Sequence, residues 1–362
     1  MKKTLFPLAV LLLFFGLCMT AFAVDEPQAQ YVQKDHVVYE LEEAGKNREA
    51  HYAVRSFFDS KEAAESVTNL SVLSEIDGIP VTEIAIDVNL LFGKTAYAVE
   101  TIALPDSITS ISRGAFQGMA KLKEIRIPQG VEEIGNDTFS GCAALKTVVL
   151  PTTLKTIGKC AFLDCTSLKK ISLPRSLTYI GPYALTRTSV RKLTIPAHCG
   201  FENLSFSNCP KLETVRFANR KSLLLEDWMF FACPLLKTVV LPKTTDGVTI
   251  HANCFADCAA LSKIKNADRI IAIGAKAFAN CTSLSSFTVS TQTTRIDRLA
   301  FSGCESLKKL RVLTTDQTML VHPAFLRTLP KSCKVYVKTE ETKQAFLDAG
   351  CKNKVIVKAD LK

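Results

Sequence analysis

The sequence is poor in the residues from which active sites are commonly built. It has five histidines and one tryptophan in 362 residues, and no histidine stands in a motif with a nucleophile. It contains no phosphate-binding glycine loop, and no Cys-x-x-Cys pair of the kind that holds zinc. We therefore expect a protein that is not an enzyme and that needs no cofactor and no metal ion.

Long apolar runs are missing beyond the N-terminus, where residues 5–19 form a run too short to span a bilayer comfortably. Two lysines precede this run and an Ala-Phe-Ala cleavage site follows it, so we interpret residues 1–23 as a signal peptide cleaved after Ala23. Lipid attachment at Cys18 is the alternative, which the large Leu17 before it disfavours. The sequence predicts an exported protein without a membrane span, located in the periplasm, on the cell surface or in the medium.

The charge and the length set looser limits. The net charge is +10, or near +8 once the two leader lysines are removed, and it favours acidic partners only where it is clustered. A chain of 362 residues would ordinarily contain about two or three globular domains. That estimate fails for a sequence with internal repeats, because a solenoid stacks units instead of enlarging one core.

A repeat of about 23 residues is visible in the phenylalanines. Phe116, Phe139 and Phe162 are 23 residues apart, Leu185 continues their phase, and further phenylalanines follow at spacings of 21 to 25. A cysteine lies three residues after most of them, and a leucine follows three residues later. The later phenylalanines are Phe206, Phe230, Phe255, Phe278, Phe301 and Phe325, and the cysteines are Cys142, Cys165, Cys209, Cys233, Cys258, Cys281 and Cys304.

Each unit continues with an alternating apolar stretch, such as Ile125 and Ile127, which predicts a half-buried strand. Proline often ends the stretch, a second apolar pair follows, and a glycine such as Gly158 marks a turn. We expect the Ala-Phe step to lie on a single helical turn. One such coil cannot bury its own apolar residues, so neighbouring coils should bury them together as ladders, with parallel strands about 4.8 Å apart.

The combined pattern, L-x-x-[IVL]-x-[LIV]-P-x-x-[LVI]-x-x-I-G-x-x-A-F-x-x-C, resembles the BspA-like, or treponemal-type, leucine-rich repeats of bacterial surface proteins. Residues 146–165, KTVVLPTTLKTIGKCAFLDC, match it almost letter for letter. The resemblance implies a leucine-rich repeat solenoid that is horseshoe-like and β-rich. Its short parallel strands would form the concave face, with short strands, turns and single helical turns elsewhere.

The repeats divide the chain into four parts. After the signal peptide, residues 24–79 are predicted to be an N-terminal cap, and residues 80–330 hold nine or ten repeats. The spacing varies over residues 185–270, where coils could bulge or bend. Residues 331–362 are predicted to form a C-terminal cap with a strand at 334–337, a helix at 340–349 and a strand at 354–357.

Twelve cysteines remain after the leader is removed, an even number that would suit a disulfide framework in an exported protein. Seven of them occupy one repeat position, however, where stacking keeps Cβ atoms near the rung spacing of about 4.8 Å rather than the roughly 3.8 Å of a disulfide. We therefore expect buried free thiols. Cys333 and Cys351 flank the terminal helix, and they are left as a possible pair.

The outward residues of the predicted strands form a strongly basic set. Of 27 such positions, fourteen are basic and two are acidic. Exposed parallel strands tolerate lysine well and lysine suppresses sheet aggregation, so a purely structural role stays open beside an electrostatic binding face. The basic residues predicted to bind a partner are Lys123, Arg126, Lys146, Lys169, Lys170, Arg191, Lys192, Arg216, Lys237, Lys263, Lys265, Lys308, Lys309 and Arg311.

The family resemblance implies attachment to host extracellular-matrix proteins or to other bacteria. We expect an adhesin-like module that binds proteins or acidic glycans, whereas export makes nucleic acid an unsuitable partner. A periplasmic scaffold that organises envelope proteins is the alternative. Trp228, beside Phe230 and Phe231, is a second candidate anchor, for which packing in the core is the competing interpretation.

Overall fold

The computed structural model describes residues 30–45, 48–58, 61–86, 97–314 and 323–361. The predicted signal peptide, with Cys18 and Ala23, lies outside these residues. Within them, no helix combines the length and the apolar character that crossing a membrane requires.

The first strand of each coil follows the Cys-x-x-Leu step and pairs in parallel with its equivalents in adjacent coils; we call these the A strands. They form three four-stranded sheets. The first sheet holds Asn69–Ser71, Thr101–Ala103, Glu124–Arg126 and Thr147–Val149; the second Lys192–Ile195, Thr214–Phe217, Thr238–Val240 and Lys263–Lys265; and the third Ser286–Val289, Lys309–Val312, Lys334–Val337 and Lys354–Val357.

A second parallel ladder runs along the solenoid just before the phenylalanine of each coil; we call its members the B strands. Side chains of Leu223–Leu225 and Val248–Ile250 alternate between the core and the surface. The B strands are His51–Ser56, Ile79–Ile84 and Ser110–Ile111; then Glu133–Ile134, Thr156–Ile157, Tyr179–Ile180 and Gly200–Phe201; and then Leu223–Leu225, Val248–Ile250, Ile270–Ile273 and Arg295–Ile296.

The N-terminal segment adds antiparallel strands to the B ladder. Strand Val37–Glu42 pairs with Tyr31–Lys34 on one side and with His51–Ser56 on the other, and the short strand Glu75–Ile76 turns back onto Ile79–Ile84. The other elements are the helices Lys61–Ser66, Pro323–Arg327 and Glu340–Asp348 and the 3-10 turn Ala267–Arg269.

The C-terminal elements fall where the sequence places a strand, a helix and a strand. Thr339 caps the helix Glu340–Asp348 by accepting a hydrogen bond from the Thr342 N–H. Strands Lys334–Val337 and Lys354–Val357 continue the A ladder in parallel, and Asn69–Ser71 begins it. Both segments predicted as caps therefore contribute strands to the same ladder as the repeats.

The phenylalanines form the core ladder that their spacing predicts. The rings of Phe116, Phe139 and Phe162 stack at centroid distances of 5.1 and 5.2 Å, and they are fully buried. Leu185 interrupts the rings, and stacking resumes at 5.3 to 5.5 Å from Phe206 onward. The resumed series consists of Phe206, Phe230, Phe255, Phe278 and Phe301.

The segment around each phenylalanine is built from overlapping tight turns. In one regular coil, Cys160 and Asp164 have left-handed backbone, with φ of 55° and 61°. The Cys165 N–H bonds the Phe162 carbonyl at 3.2 Å within the coil, and the Phe162 N–H bonds the Ala184 carbonyl of the next coil at 2.8 Å. Turns within coils and hydrogen bonds between coils therefore alternate along this segment.

These turns replace the single helical turn expected from the sequence. A right-handed helix cannot pass through residues with left-handed backbone, and in the regular coils such residues flank the phenylalanine on both sides. The last coil differs, because Phe325 lies in the helix Pro323–Arg327.

The repeat glycines stand where two coils come into close contact. Gly158 is the first residue of a turn, as the sequence predicts, but its φ is not left-handed. A Cβ atom at Gly158 would lie 2.7 Å from the backbone nitrogen of Asn136, and one at Gly181 would lie 2.7 Å from that of Lys159. Close packing between coils therefore explains why the repeat uses glycine at this position.

Candidate partner-binding face

The predicted binding residues lie along the outward face of the A strands, which we call the A face. Thirteen of the fourteen are exposed and Arg311 is half-buried. Alternation produces this arrangement, because the residues between them, such as Leu193 and Val239, point into the core. The fold therefore collects residues that are about 23 positions apart in sequence onto one surface.

Strand register aligns the basic residues in columns. Lys309 stands opposite Lys334, which in turn stands opposite Lys354, and Arg216 is two rungs from Lys265 in another column. Lys334 and Lys354 were not among the predicted binding residues, because their segment was assigned to a cap. The sequences KVYV and KVIV alternate like those of the other A strands, and this pattern places both lysines at outward positions.

Ion pairs neutralise only part of the A face. Lys123 pairs with Glu100 at 2.6 Å, and Arg126 with Asp106 at 2.8 Å, both at the N-terminal end of the repeats. Arg191 is the third residue of the set with a carboxylate partner. In the described part of the chain, the other eleven basic residues have no carboxylate oxygen within 4.0 Å. These eleven are Lys146, Lys169, Lys170, Lys192, Arg216, Lys237, Lys263, Lys265, Lys308, Lys309 and Arg311.

Glu213 is an acidic residue surrounded by this positive charge. Both Nε and Nη2 of Arg191 donate to its Oε1, at 3.1 and 2.6 Å. This bidentate hydrogen bond holds the pKa of Glu213 below its usual range, and the charges of Arg191, Lys237 and Lys192 add to the effect. Glu213 thus remains ionised and neutralises one cation at the centre of the A face.

The A ladder is interrupted between its first and second sheets, at residues 170–173, and again between its second and third sheets. We call residues 170–173 the unpaired segment. Its sequence alternates like that of an A strand, with Ile171 buried and Lys170 and Ser172 exposed. No backbone hydrogen bond joins residues 170–173 to either neighbouring coil in the described chain. A long bond of 3.4 Å, from the Arg191 N–H to the Lys169 carbonyl, lies just before them.

The coil that follows the unpaired segment is irregular. It is 21 residues long instead of 23, and Leu185, Thr188 and Val190 take the places of phenylalanine, cysteine and leucine. Val190 comes two residues after Thr188, whereas Leu168 comes three after Cys165, so its A strand starts one residue early. The first interruption of the A ladder therefore coincides with a change in the repeat.

A groove of 580 Å³ lies on the A face at the unpaired segment. It is lined by the segment itself together with Lys169, Arg191, Lys192, Thr194 and Glu213. Its volume falls within the range of about 300–1,000 Å³ that is typical of ligand clefts. Four of the fourteen predicted binding residues, Lys169, Lys170, Arg191 and Lys192, meet at this groove.

The aromatic cluster of the irregular coil is split between core and surface. Phe230 is the buried ladder residue, while Trp228 is 39% exposed and has a left-handed φ of 61°. The ring centroids of Trp228 and Phe231 are 4.8 Å apart, in an edge-to-face arrangement. Tyr183 and Leu204 occupy the equivalent turn position of the two preceding coils, also with left-handed φ. Trp228 is therefore an exposed aromatic residue at the phenylalanine turn, where a partner could contact it.

The twelve described cysteines are free and buried. Burial raises the pKa of Cys142 and of Cys304 to about 12, and that of Cys333 to about 11. Cys351, which the sequence leaves open as a partner for Cys333, is also a free thiol. Protonated, buried thiols are poor nucleophiles and poor metal ligands, so these side chains act as core residues.

Comparisons with known proteins agree with this architecture. The family model described as "BspA type Leucine rich repeat region (6 copies)" matches residues 90–213 and 201–327. No curated protein matches the sequence.

Solved structures of bacterial proteins are similar to this chain. The pneumococcal vaccine antigen PcpA has a TM-score of 0.50 at 18% identity, over 91% of this chain and 98% of that one. A leucine-rich cell surface protein from Faecalibacterium prausnitzii has a TM-score of 0.44 at 20% identity, over 90% of this chain and 98% of that one. The Treponema pallidum leucine-rich repeat protein has a TM-score of 0.41 at 21% identity, over 68% of this chain and 87% of that one. The predicted fold, a leucine-rich repeat solenoid, is confirmed, with about 11 turns and little helix.

Proposed function

This chain belongs to the BspA-type leucine-rich repeat family, and on that premise we propose that it is an exported, adhesin-like scaffold that binds acidic partners through its A face. Proteins of this family are typically non-catalytic interaction scaffolds, found at the cell surface or secreted. The proposal is carried by the uncompensated charge of the A face, where eleven basic side chains lack a carboxylate partner among the described residues. The partners we propose are extracellular-matrix proteins or acidic glycans.

An array of this kind suits a large acidic surface. A single exposed ion pair contributes only about 0–1 kcal/mol, so no one lysine can hold a partner. Stacked strands instead present many cations on one rigid frame, at a rung spacing of about 4.8 Å. Their summed field attracts an acidic partner, and the resulting affinity depends on salt concentration.

The experiment is capture by the purified chain, residues 24–362, on immobilised extracellular-matrix protein. Binding is measured at about 0.1 M and about 1 M salt, between which the screening length falls from about 10 to about 3 Å. The test variant carries Lys237→Glu, Lys263→Glu and Lys309→Glu. The matched control carries Lys159→Glu, Lys243→Glu and Lys276→Glu, which are exposed lysines that alter the net charge equally but lie off the A face.

We expect binding that high salt and the test variant abolish and that the control variant retains. Equal losses in both variants would mean that net charge alone attracts the partner, and would refute a role for the A face. Binding that survives salt and both variants would place the site elsewhere, and Trp228→Ala then tests the aromatic coil. Failure to bind any matrix protein, together with inaccessibility to antibody on intact cells, would favour the periplasmic scaffold.

A further inference from the structure

The unpaired segment has the alternation of an A strand but no backbone hydrogen bond to the described coil before or after it. Ile171 keeps its side chain in the core, so the backbone is held in place while its hydrogen-bonding groups stay unused. Unpaired strand groups are a ready template for a second chain, and natural proteins usually cover or blunt them. Here the residues that carry them line a groove on the A face.

The charge beside this backbone is unbalanced. Lys169, Lys170 and Lys192 have no ion pair in the described chain, and the Glu213 carboxylate in the groove is already used by Arg191. Three cations are therefore free to meet carboxylates of a ligand. Elsewhere on the A face, basic residues such as Lys309 stand on strands whose backbones are paired on both sides.

We propose that the groove binds an extended acidic segment of a partner polypeptide, which pairs its backbone with residues 170–173 and its carboxylates with Lys169, Lys170 and Lys192. This site rests on the proposed function and narrows it, because it names one location on the A face and one class of ligand. The mode is strand addition, in which main-chain hydrogen bonds supply affinity and the side chains supply specificity.

The backbone distinguishes a polypeptide from a sulfated glycan. Both would satisfy the three lysines, but only a polypeptide offers N–H and C=O groups at the spacing of about 3.3 Å per residue that matches a strand. A glycan would leave the backbone groups of residues 170–173 without regular partners. The free backbone beside the cations therefore favours the polypeptide.

Hydrogen exchange tests the backbone half of the proposal in the full mature chain. The amides of residues 170–173 should exchange rapidly in the free protein, while those of the paired strands Thr147–Val149 and Thr214–Phe217 are protected. The probe is a synthetic peptide of alternating glutamate and valine, about eight residues and so roughly 26 Å long when extended. Its addition should slow exchange at residues 170–173. Unchanged exchange at saturating peptide would overturn the proposal.

Affinity measurements with the same peptide test the two contributions separately. Methylating alternate peptide nitrogens keeps every charge but removes main-chain donors, and we expect roughly a tenfold loss of affinity. The variant Lys169→Glu, Lys170→Glu, Lys192→Glu should abolish binding. The control Lys159→Glu, Lys243→Glu, Lys276→Glu makes the same charge change at exposed lysines off the A face and should bind within about twofold of wild type.

The outcomes separate this site from the wider function. If matrix capture depends on Lys237, Lys263 and Lys309 while the peptide fails to bind, the groove proposal is wrong and the A-face function stands. If the methylated peptide binds as well as its parent, and a sulfated oligosaccharide competes for the same lysines, the ligand is a glycan. If neither the peptide nor matrix protein binds, both proposals fail.

Discussion

The Cys142 thiol donates a 3.1 Å hydrogen bond to the backbone carbonyl of Phe116 in the preceding coil. The same relationship recurs along the ladder with Sγ to oxygen distances of 3.0 to 3.3 Å. It gives a reason for cysteine at this position, because the thiol is small and apolar enough for the core and still donates to a carbonyl. Each cysteine thus connects two coils without a covalent bond.

Replacing one of these thiols should reveal that hydrogen bond. Cys281 is fully buried and donates to the Phe255 carbonyl at 3.2 Å. We expect Cys281→Ala to lower the free energy of unfolding by about 1–3 kcal/mol, because it removes both volume and a donor. Cys281→Ser keeps a hydrogen-bond donor, so its free energy of unfolding, measured by urea denaturation, should fall less. Equal losses in the two variants would show that volume alone matters.

The phenylalanine ladder predicts a larger effect. Phe255 is fully buried between Phe230 and Phe278, with ring centroids 5.5 Å away on each side. Phe255→Ala should destabilise the protein by about 3–5 kcal/mol, measured by urea denaturation. Phe255→Leu is the matched control, since Leu185 fills the same position naturally, and it should cost distinctly less. A similar loss for leucine would contradict the stacking interpretation.

Close packing at the repeat glycines predicts an effect of a single methyl group. In Gly158→Ala, the new Cβ would meet the backbone of residues 135 and 136 at 2.7 to 2.8 Å, and we expect a loss of about 1–3 kcal/mol. Gly200→Ala is the control, because its Cβ would have its nearest neighbour at 3.6 Å. In thermal unfolding, we expect a lower melting temperature for Gly158→Ala and an unchanged one for Gly200→Ala. Equal effects would show that the loss does not come from contact with residues 135 and 136.

The buried thiols predict a loss of stability in alkali. All twelve have a raised pKa, so in the unfolded chain they ionise near pH 9 while in the folded protein they stay protonated, to about pH 12 for Cys142. The stabilising contribution is complete below pH 9 and is lost as the pH rises above it. Each such thiol lowers the free energy of unfolding by about 1.4 kcal/mol per pH unit.

Urea titrations at pH 8 and pH 10 would measure this dependence. Cys281→Ser should show a shallower fall than wild type, because one ionisable thiol has been removed. A midpoint that is the same at both pH values would contradict protonated, buried thiols.

The periodic part of the fold could be predicted from sequence because each buried position recurs. Phe139, Cys142 and Leu145 are completely buried, as their spacing indicates, and the alternation around Val148 marks a strand. Spacing alone gives no sign of left-handed backbone at residues as different as Cys160 and Asp164. That conformation depends on stacking between coils, which is why tight turns replace the expected helical turn.

The interruption of the A ladder could not be predicted from its own residues. Residues 169–174, KKISLP, satisfy the repeat pattern as well as residues 146–151, KTVVLP, do, yet the latter pair and the former do not. The next coil is the irregular one, with its shortened step from Thr188 to Val190. The sequence indicates irregularity from residue 185 onward, whereas the unpaired residues belong to the coil before.

The hydrogen bonds between coils continue at the phenylalanine turns where the A strands separate. On the turn side the N–H groups of Phe162 and Leu185 bond to the carbonyls of Ala184 and Ser205, with no missing rung, whereas on the A side residues 170–173 are detached. Under tension along its axis, such a molecule would open at one edge while the other edge holds. We therefore expect the coil around Ile171 to act as a mechanical hinge that yields before the coils of the core unfold.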